Sequence, residues 1–380
     1  MADVRDEPQD REPPSWRLRR WAAPVALAVS VAASIGAVQL LVGDGASSGG
    51  WPGGREPRFV LSVGSLPTAS RQGGPEPWIR VEAYRQDGRY LPVGSVPSPS
   101  PSAGKAREIV GGPGGTFVVA STRDEPCETR LYRFKLTSAG HATGTAPLTP
   151  DAVPARVGGL AMSPDGGRLA YTTAPCADGK GSAAPPQGAS VTVLDIGSGR
   201  RRTWSTPGPA LVSQIVWAEN DRTLGYVISD VRPGATPGID VGSGGRGGLG
   251  FDVGNAAVHA LDTEAQGADL RAGRVLFRQR DAAAVLTSAV MGPDGRTGYG
   301  VLRKGSPEST IFFEFEEGEP MRVTRTITPK AGVATSVGVL IAHDPPRYAC
   351  LTGVDPFGRA IGGDLSEADD VPLCGTAYAY

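Results

Sequence analysis

The chain has 380 residues, of which 54 are Gly, 34 are Pro and 39% are hydrophobic; 38 basic residues stand against 39 acidic ones, for a net charge of −1. That balance argues against a nucleic-acid binder, which normally shows a basic stripe or domain, while the apolar share is enough for a sizeable core despite a Gly and Pro content close to that of low-complexity chains. Five of the basic residues are Lys and two Asn occur in all, a skew read as GC-rich bacterial coding bias rather than as a functional signal.

Residues 1–20 are charged, Pro-rich and too short to fold, so a disordered cytoplasmic tail is expected. From Trp21 to Gly43 run 23 residues without a charge. As a helix they extend roughly 34 Å, enough for a hydrocarbon core of about 30 Å. Pro24 falls in the first turn, where its missing N–H costs nothing. Arg17, Arg19 and Arg20 crowd the N-terminal flank, and Asp44-Gly45-Ala46-Ser47 on the other side carries no base. The positive-inside rule then predicts a single-pass transmembrane helix over 21–43, with everything after it outside the cell membrane. The competing reading, a cleaved signal peptide, would need a shorter apolar region and an A-x-A site, which does not follow the run.

Residues 44–57 are Gly/Ser-rich and read as a flexible tether. Beyond them one pattern recurs: a short apolar strand, a tight Pro/Gly/Asp turn, and a second apolar strand. Its copies begin at Arg107, Gly158, Ser213, Thr287 and Val337, and their turns, marked by Pro113, Pro164, Glu219, Pro293 and Asp344, lie 51, 55, 74 and 51 residues apart. The long interval holds a Gly-rich insertion, 232–255, read as a flexible loop, with recognition as its alternative role. A constant period signals an array of like units. Each copy continues into a second hairpin whose apolar and polar residues alternate. Four strands in about 50 residues is the arithmetic of a propeller blade. The expected fold is therefore all-β: a six-bladed β-propeller of four-stranded blades over 58–380, preceded by one N-terminal transmembrane helix.

The segment LAMSPDGGRLAYTT, with its turn Ser163-Pro164-Asp165-Gly166, resembles the repeat of the TolB-type, WD-repeat-like propellers, and Gly292-Pro293-Asp294-Gly295 is a second good match. The membrane-tethered arrangement is similar to that of actinobacterial propeller proteins. The resemblance implies an architecture and carries no activity. Pro presets φ, Asp caps the turn and Gly accepts the left-handed corner, so the motif is a fold signature and not a site.

Chemical motifs are sparse. His141, His259 and His343 stand apart in sequence, and neither H-E-x-x-H nor C-x-x-C spacing occurs, so no metal or cofactor is expected. Gly45-Ala46-Ser47-Ser48-Gly49 fits a nucleophile elbow but sits in the tether. Gly242-Ser243-Gly244-Gly245-Arg246-Gly247 fits a dinucleotide fingerprint but no helix follows. No catalytic residue is nominated. Trp204 and Trp217, inside strand patterns, are expected in the core.

The expected function is binding of a protein or cell-envelope ligand through loops on one face, without catalysis. The alternatives are a propeller-type hydrolase or lyase acting on an envelope polymer, and a regulatory contact made by the tail and helix. Two structural expectations are specific. Cys127 and Cys176 follow the second strands of adjacent blades, which places them on one face and predicts a disulfide between them in an oxidising compartment. The first unit supplies three strands only, so Thr376–Tyr380 is expected to pair with Phe59–Val63 and close the ring, since an open ring would expose two sheet edges.

Overall fold

Short β-rich runs punctuated by Gly, Pro and Asp turns fold locally into antiparallel meanders. The computed structural model describes residues 59–63, 79–84, 90–99, 103–174, 188–231, 238–239, 249–250, 253–304, 309–327, 337–340, 348–351 and 376–379. The expected tail, transmembrane helix and tether lie outside the described residues. Among the described residues no helix is long and apolar enough to cross a membrane.

The first sheet holds β1 (Phe59–Val63), β2 (Ile79–Tyr84) and β3 (Tyr90–Val96). The second runs β4 (Lys105–Gly112), β5 (Thr116–Arg123), β6 (Glu128–Leu136) and β7 (Ala142–Pro147). The third runs β8 (Arg156–Met162), β9 (Arg168–Ala174), β10 (Gly188–Asp195) and β11 (Arg201–Pro207). In the fourth, β12 (Ala210–Trp217) and β13 (Thr223–Val231) are followed by the insertion, which carries the small ladder β14 (Gly238–Ile239) and β15 (Leu249–Gly250). The insertion is thus not structureless throughout. That sheet resumes with β16 (Val253–Asp262) and β17 (Arg274–Arg278). The fifth runs β18 (Ala284–Met291), β19 (Thr297–Lys304), β20 (Ser309–Glu316) and β21 (Arg322–Ile327). A two-stranded sheet, β22 (Val337–Leu340) with β23 (Tyr348–Leu351), follows.

The last strand, β24 (Thr376–Ala379), returns to the first sheet and gives it the order β24-β1-β2-β3. Its register sets Ala379 against Phe59, Tyr378 against Val60, Ala377 against Leu61 and Thr376 against Ser62. The C-terminal strand therefore takes the place held by β4, β8, β12 and β18 in their own sheets. These leading strands adjoin one another in the succession β24, β4, β8, β12, β18, β22, as the inner strands of a radial array do.

The core is partitioned between neighbouring sheets. Phe59, Leu61 and Ile79 of the first sheet pack with Phe117, Val119 and Phe134 of the second. The alternate residues Val118, Ala120 and Leu131 turn to Val157, Leu169 and Tyr171 of the third. Ala170, Val191 and Trp204 then meet Trp217, Leu224 and Tyr226 of the fourth. Val227, Val258 and Ala260 meet Leu286, Phe313 and Phe315 of the fifth. Strand alternation sends odd and even residues to opposite faces, and here both faces are covered, which is why consecutive residues are apolar over Phe117–Ala120 of β5 and Tyr226–Ile228 of β13. Trp204 and Trp217 are core residues, 2% and 4% exposed, and the Trp217 indole N–H donates to the Ala161 carbonyl at 3.1 Å across a sheet boundary. All-β, four-stranded antiparallel sheets stacked face to face in chain order are the arrangement of a β-propeller.

Candidate functional site

Antiparallel order divides the connections between two faces. The turns from first to second strand and from third to fourth emerge on one side. The second-to-third connections and the links between sheets emerge on the other.

The first side is closed by the repeat turns. Ser163 Oγ donates to Asp165 Oδ1 at 2.6 Å and accepts from the Arg168 amide at 2.8 Å, while the Gly167 amide reaches the same carboxylate oxygen at 2.8 Å. These bonds, led by the Ser163 hydroxyl, hold the Asp165 pKa below the ordinary range. Asp294 caps its own turn through Thr297 and the Arg296 and Thr297 amides. The turns also grip one another. The Asp165 amide donates to Asp221 Oδ1 at 2.9 Å, and the Glu219 amide donates to the Pro293 carbonyl at 2.9 Å. The Pro113 ring packs so close to Gly166 that a side chain there would meet it at 2.7 Å. Ser163, Pro164, Asp165 and Gly166, with Gly292, Pro293, Asp294 and Gly295, thus occupy the turns of this closed side.

The opposite side carries the long connections. The links 175–187 and 232–252 leave from the ends of β9 and β13 and re-enter at β10 and β16. Cys127, in the turn before β6, is on this side and is disulfide-bonded. The expected partner Cys176 lies outside the described residues, as do Cys374 and most of the insertion.

At the base of the insertion, a shallow cavity of about 210 Å³ is lined by Asp230, Asn255, Gln279, Arg280 and Asp281, among others. Asn255 adopts φ +46°, a left-handed conformation that Asn tolerates through its short polar side chain. Arg271 donates to Asp230 Oδ1 at 2.6 Å. Lys304 pairs with Asp281 at 2.6 Å and, as its hydrogen-bond donor, pulls the Asp281 pKa down. Both carboxylates are engaged by a basic partner, whereas Arg280 is exposed at the rim. Such a lining suits polar or anionic groups on a partner's surface. A second cavity, of about 270 Å³, lies between Trp204 and the 262–274 segment on the closed side. Arg202 covers Trp204 at 4.5 Å from the ring centre and caps the Thr263 carbonyl at 2.8 Å, so it serves packing.

The inner strands hold one feature that the sequence reading did not nominate. Four of them, β4, β8, β12 and β18, show a register shift against their neighbour, at Ala106/Glu108, Gly158/Leu160, Ser213/Val216 and Leu286/Ser288. Glu108, Gly159, Gln214 and Ser288 are the second residues of their repeat copies. Gln214, at φ +52°, donates to Ser288 Oγ at 2.5 Å and accepts from the Ala289 amide at 2.6 Å. Glu108 accepts from the Gly159 backbone, but burial outweighs that bond and raises its pKa to about 7. The signal was present as one column of the repeat, and acquires meaning only once the inner strands stand side by side.

Of the three histidines, His259 is buried, stacked on Tyr226 at 5.6 Å, with Nδ1 3.0 Å from the Gly273 carbonyl. Burial lowers its pKa and so favours the neutral imidazole. No cluster of three or more His, Cys, Asp or Glu able to hold a metal ion occurs among the described residues.

No protein-family model matches the chain, and no curated protein matches it. Solved structures similar to it include TolB from Acinetobacter baumannii, at 11% identity over 90% of this chain and 69% of that one, with a TM-score of 0.46. An oligogalacturonate lyase in complex with manganese is 13% identical over 67% of this chain and 64% of that one, at 0.41. A prolyl endopeptidase is 14% identical over 62% of this chain, at 0.38, and this chain spans only 31% of its length. These likenesses are too distant to transfer a role, and the functional reading rests on this chain's own residues.

Proposed function

We propose that the chain is a membrane-tethered, six-bladed propeller that binds a protein or cell-envelope ligand outside the cytoplasmic membrane and performs no catalysis. The apolar run 21–43 and its Arg17, Arg19 and Arg20 flank support the single-pass anchor with the C-terminal domain extracytoplasmic. The β22–β23 pair, beside β18 on one side of the array, supports a sixth blade. One observation carries the binding reading: the two faces differ. On one face the repeat turns of the third, fourth and fifth sheets are bonded to one another, and the other face carries the connections that leave β9 and β13, the Cys127 disulfide and the cavity around Arg280. Loops raised on a rigid sheet scaffold are where recognition is placed.

The alternative, a hydrolase or lyase acting on an envelope polymer, draws on Glu108 alone, whose raised pKa fits a general acid. Glycoside cleavage takes two carboxyl groups, and no second carboxyl is shifted upward among the described residues.

A photo-crosslinking residue placed at Arg280 in the full chain should capture a discrete envelope partner in intact cells. The same residue at Ser198, in an exposed turn of the closed face, should capture none. Equal capture from both positions, or capture from Ser198 alone, would contradict a loop-face binding site.

A further inference from the structure

The 263–273 segment joins β16 to β17 of the fourth sheet, yet it is fastened to the third. Asp269 bridges Ser205 of β11, and the Ser205 amide donates to the Ala268 carbonyl at 2.7 Å. Arg202 donates to the Thr263 carbonyl at 2.8 Å and to that of Gly267 at 3.2 Å. A single 3-10 turn, Leu270–Ala272, sets Leu270 into the core shared with Trp204 and Tyr226, where it is 0% exposed. The segment is therefore a strap across the seam between the two sheets.

Two buried side chains hold the strap from beneath. The Tyr226 hydroxyl donates to the Leu270 carbonyl, and the His259 ring, stacked on Tyr226, has Nδ1 3.0 Å from the Gly273 carbonyl. A carbonyl only accepts, so Nδ1 carries the ring proton and Nε2 the lone pair. A second proton, on Nε2, would find no acceptor among the described residues. His259 is 3% exposed, so a charge formed there is largely cut off from water. The elements packed against β16 are β13, β17, β18 and the strap's turn. They bring Tyr226 and Asp230 from β13, Arg274 and Arg278 from β17, and Arg271 with its neighbour Asp269 from the strap, while β18 has no titratable group. Asp230 is paired with Arg271, and Arg274 with Glu317. Burial is the largest influence on the imidazole and lowers its pKa; the Gly273 bond opposes it, Arg278 and Arg271 add to it, and Asp269 opposes it.

We propose that the strap is an acid-released latch, shut while His259 is neutral and opened when the ring takes a second proton. Opening brings the imidazole into water, where its charge costs little, so acid favours the open strap. The sign follows from linkage: an imidazole whose pKa is lowered in the closed state contributes its full stabilisation above the ordinary value of about 6.5, and that contribution is lost as pH falls below it. The strap also carries Arg271, which donates to Thr206 Oγ1 at 3.1 Å and to Asp230 Oδ1 at 2.6 Å. Its release would free Asp230 in the wall of the loop-face cavity, a consequence that rests on the binding role proposed for that face, whereas the latch itself does not.

Native-state hydrogen exchange on the full chain, corrected for the intrinsic pH dependence of exchange, tests the latch with no partner bound. Opening measured at the Ser205 amide and over 271–273 should rise severalfold from pH 7.5 to pH 5, toward a ceiling of about 30-fold for an imidazole of ordinary pKa. The rise should exceed any change at β5, which reports the pH dependence of the whole domain. His259→Asn, which keeps a side-chain N–H for the Gly273 carbonyl but does not titrate, should remove the excess. A strap profile that is flat, or no steeper than that of β5, would overturn the proposal from the wild-type chain alone, and so would an undiminished excess in His259→Asn.

Discussion

Removing Thr376–Tyr380 should destabilise the whole outer domain, by about 3–5 kcal/mol and on the order of 10 °C in melting temperature. Four residues of this segment pair with β1, and behind that ladder Leu61 and Phe59 are 0% and 6% exposed. Deletion strips the inner edge from the first sheet and uncovers its packing against Phe117 and Phe134. It also removes the strand that adjoins β4. Thermal or denaturant unfolding of the truncated and full chains measures the loss. A silent deletion would mean that the terminus does not close the ring.

Gly298→Ala should be the other severe change, costing about 2–4 kcal/mol. Gly298 lies in β19, paired with Met291 on one side and Phe315 on the other. A methyl group there would fall inside van der Waals contact of both the Phe315 ring and the Val290 carbonyl oxygen. Neither can yield, because Phe315 is 3% exposed and stacked on Phe277 at 5.5 Å, and the carbonyl belongs to the sheet backbone. Gly199→Ala provides the contrast. That residue sits at φ +72° with open space where the side chain would go, so the substitution should cost only the conformational penalty of about 1 kcal/mol. Comparable losses at both positions would refute the role assigned to close packing at Gly298.

The architecture was legible because propeller physics repeats. Five copies of one hairpin, with a turn whose Pro, Asp and Gly each have a steric reason, locate the leading strands of the sheets from Arg107 onward. The pairing of Thr376–Ala379 with β1 was legible for a related reason: a unit one strand short leaves a place for a spare C-terminal segment. What the sequence concealed lies between copies. Asp165 and Asp221 read as two turn residues, and only the ring shows that one turn's amide bonds the next turn's carboxylate. Glu108 reads as one polar residue in a varied column, because its raised pKa comes from neighbouring strands that local patterning does not contain. Arg202 reads as a surface base, yet it covers Trp204 and caps a loop more than 60 residues away. The insertion's composition suggested a loop and gave no sign of the Ile239–Leu249 pairing, since two residues a side fall below any periodicity.

The first and last described strands, β1 and β24, form one sheet with β2 and β3. Native-state hydrogen exchange at 59–63 and 376–379 tests it most directly. The amides hydrogen-bonded in this ladder should be protected in both segments, and both segments should open with the same free energy as global unfolding. Exchange at 376–379 as fast as in an unstructured chain, with 59–63 still protected, would contradict it.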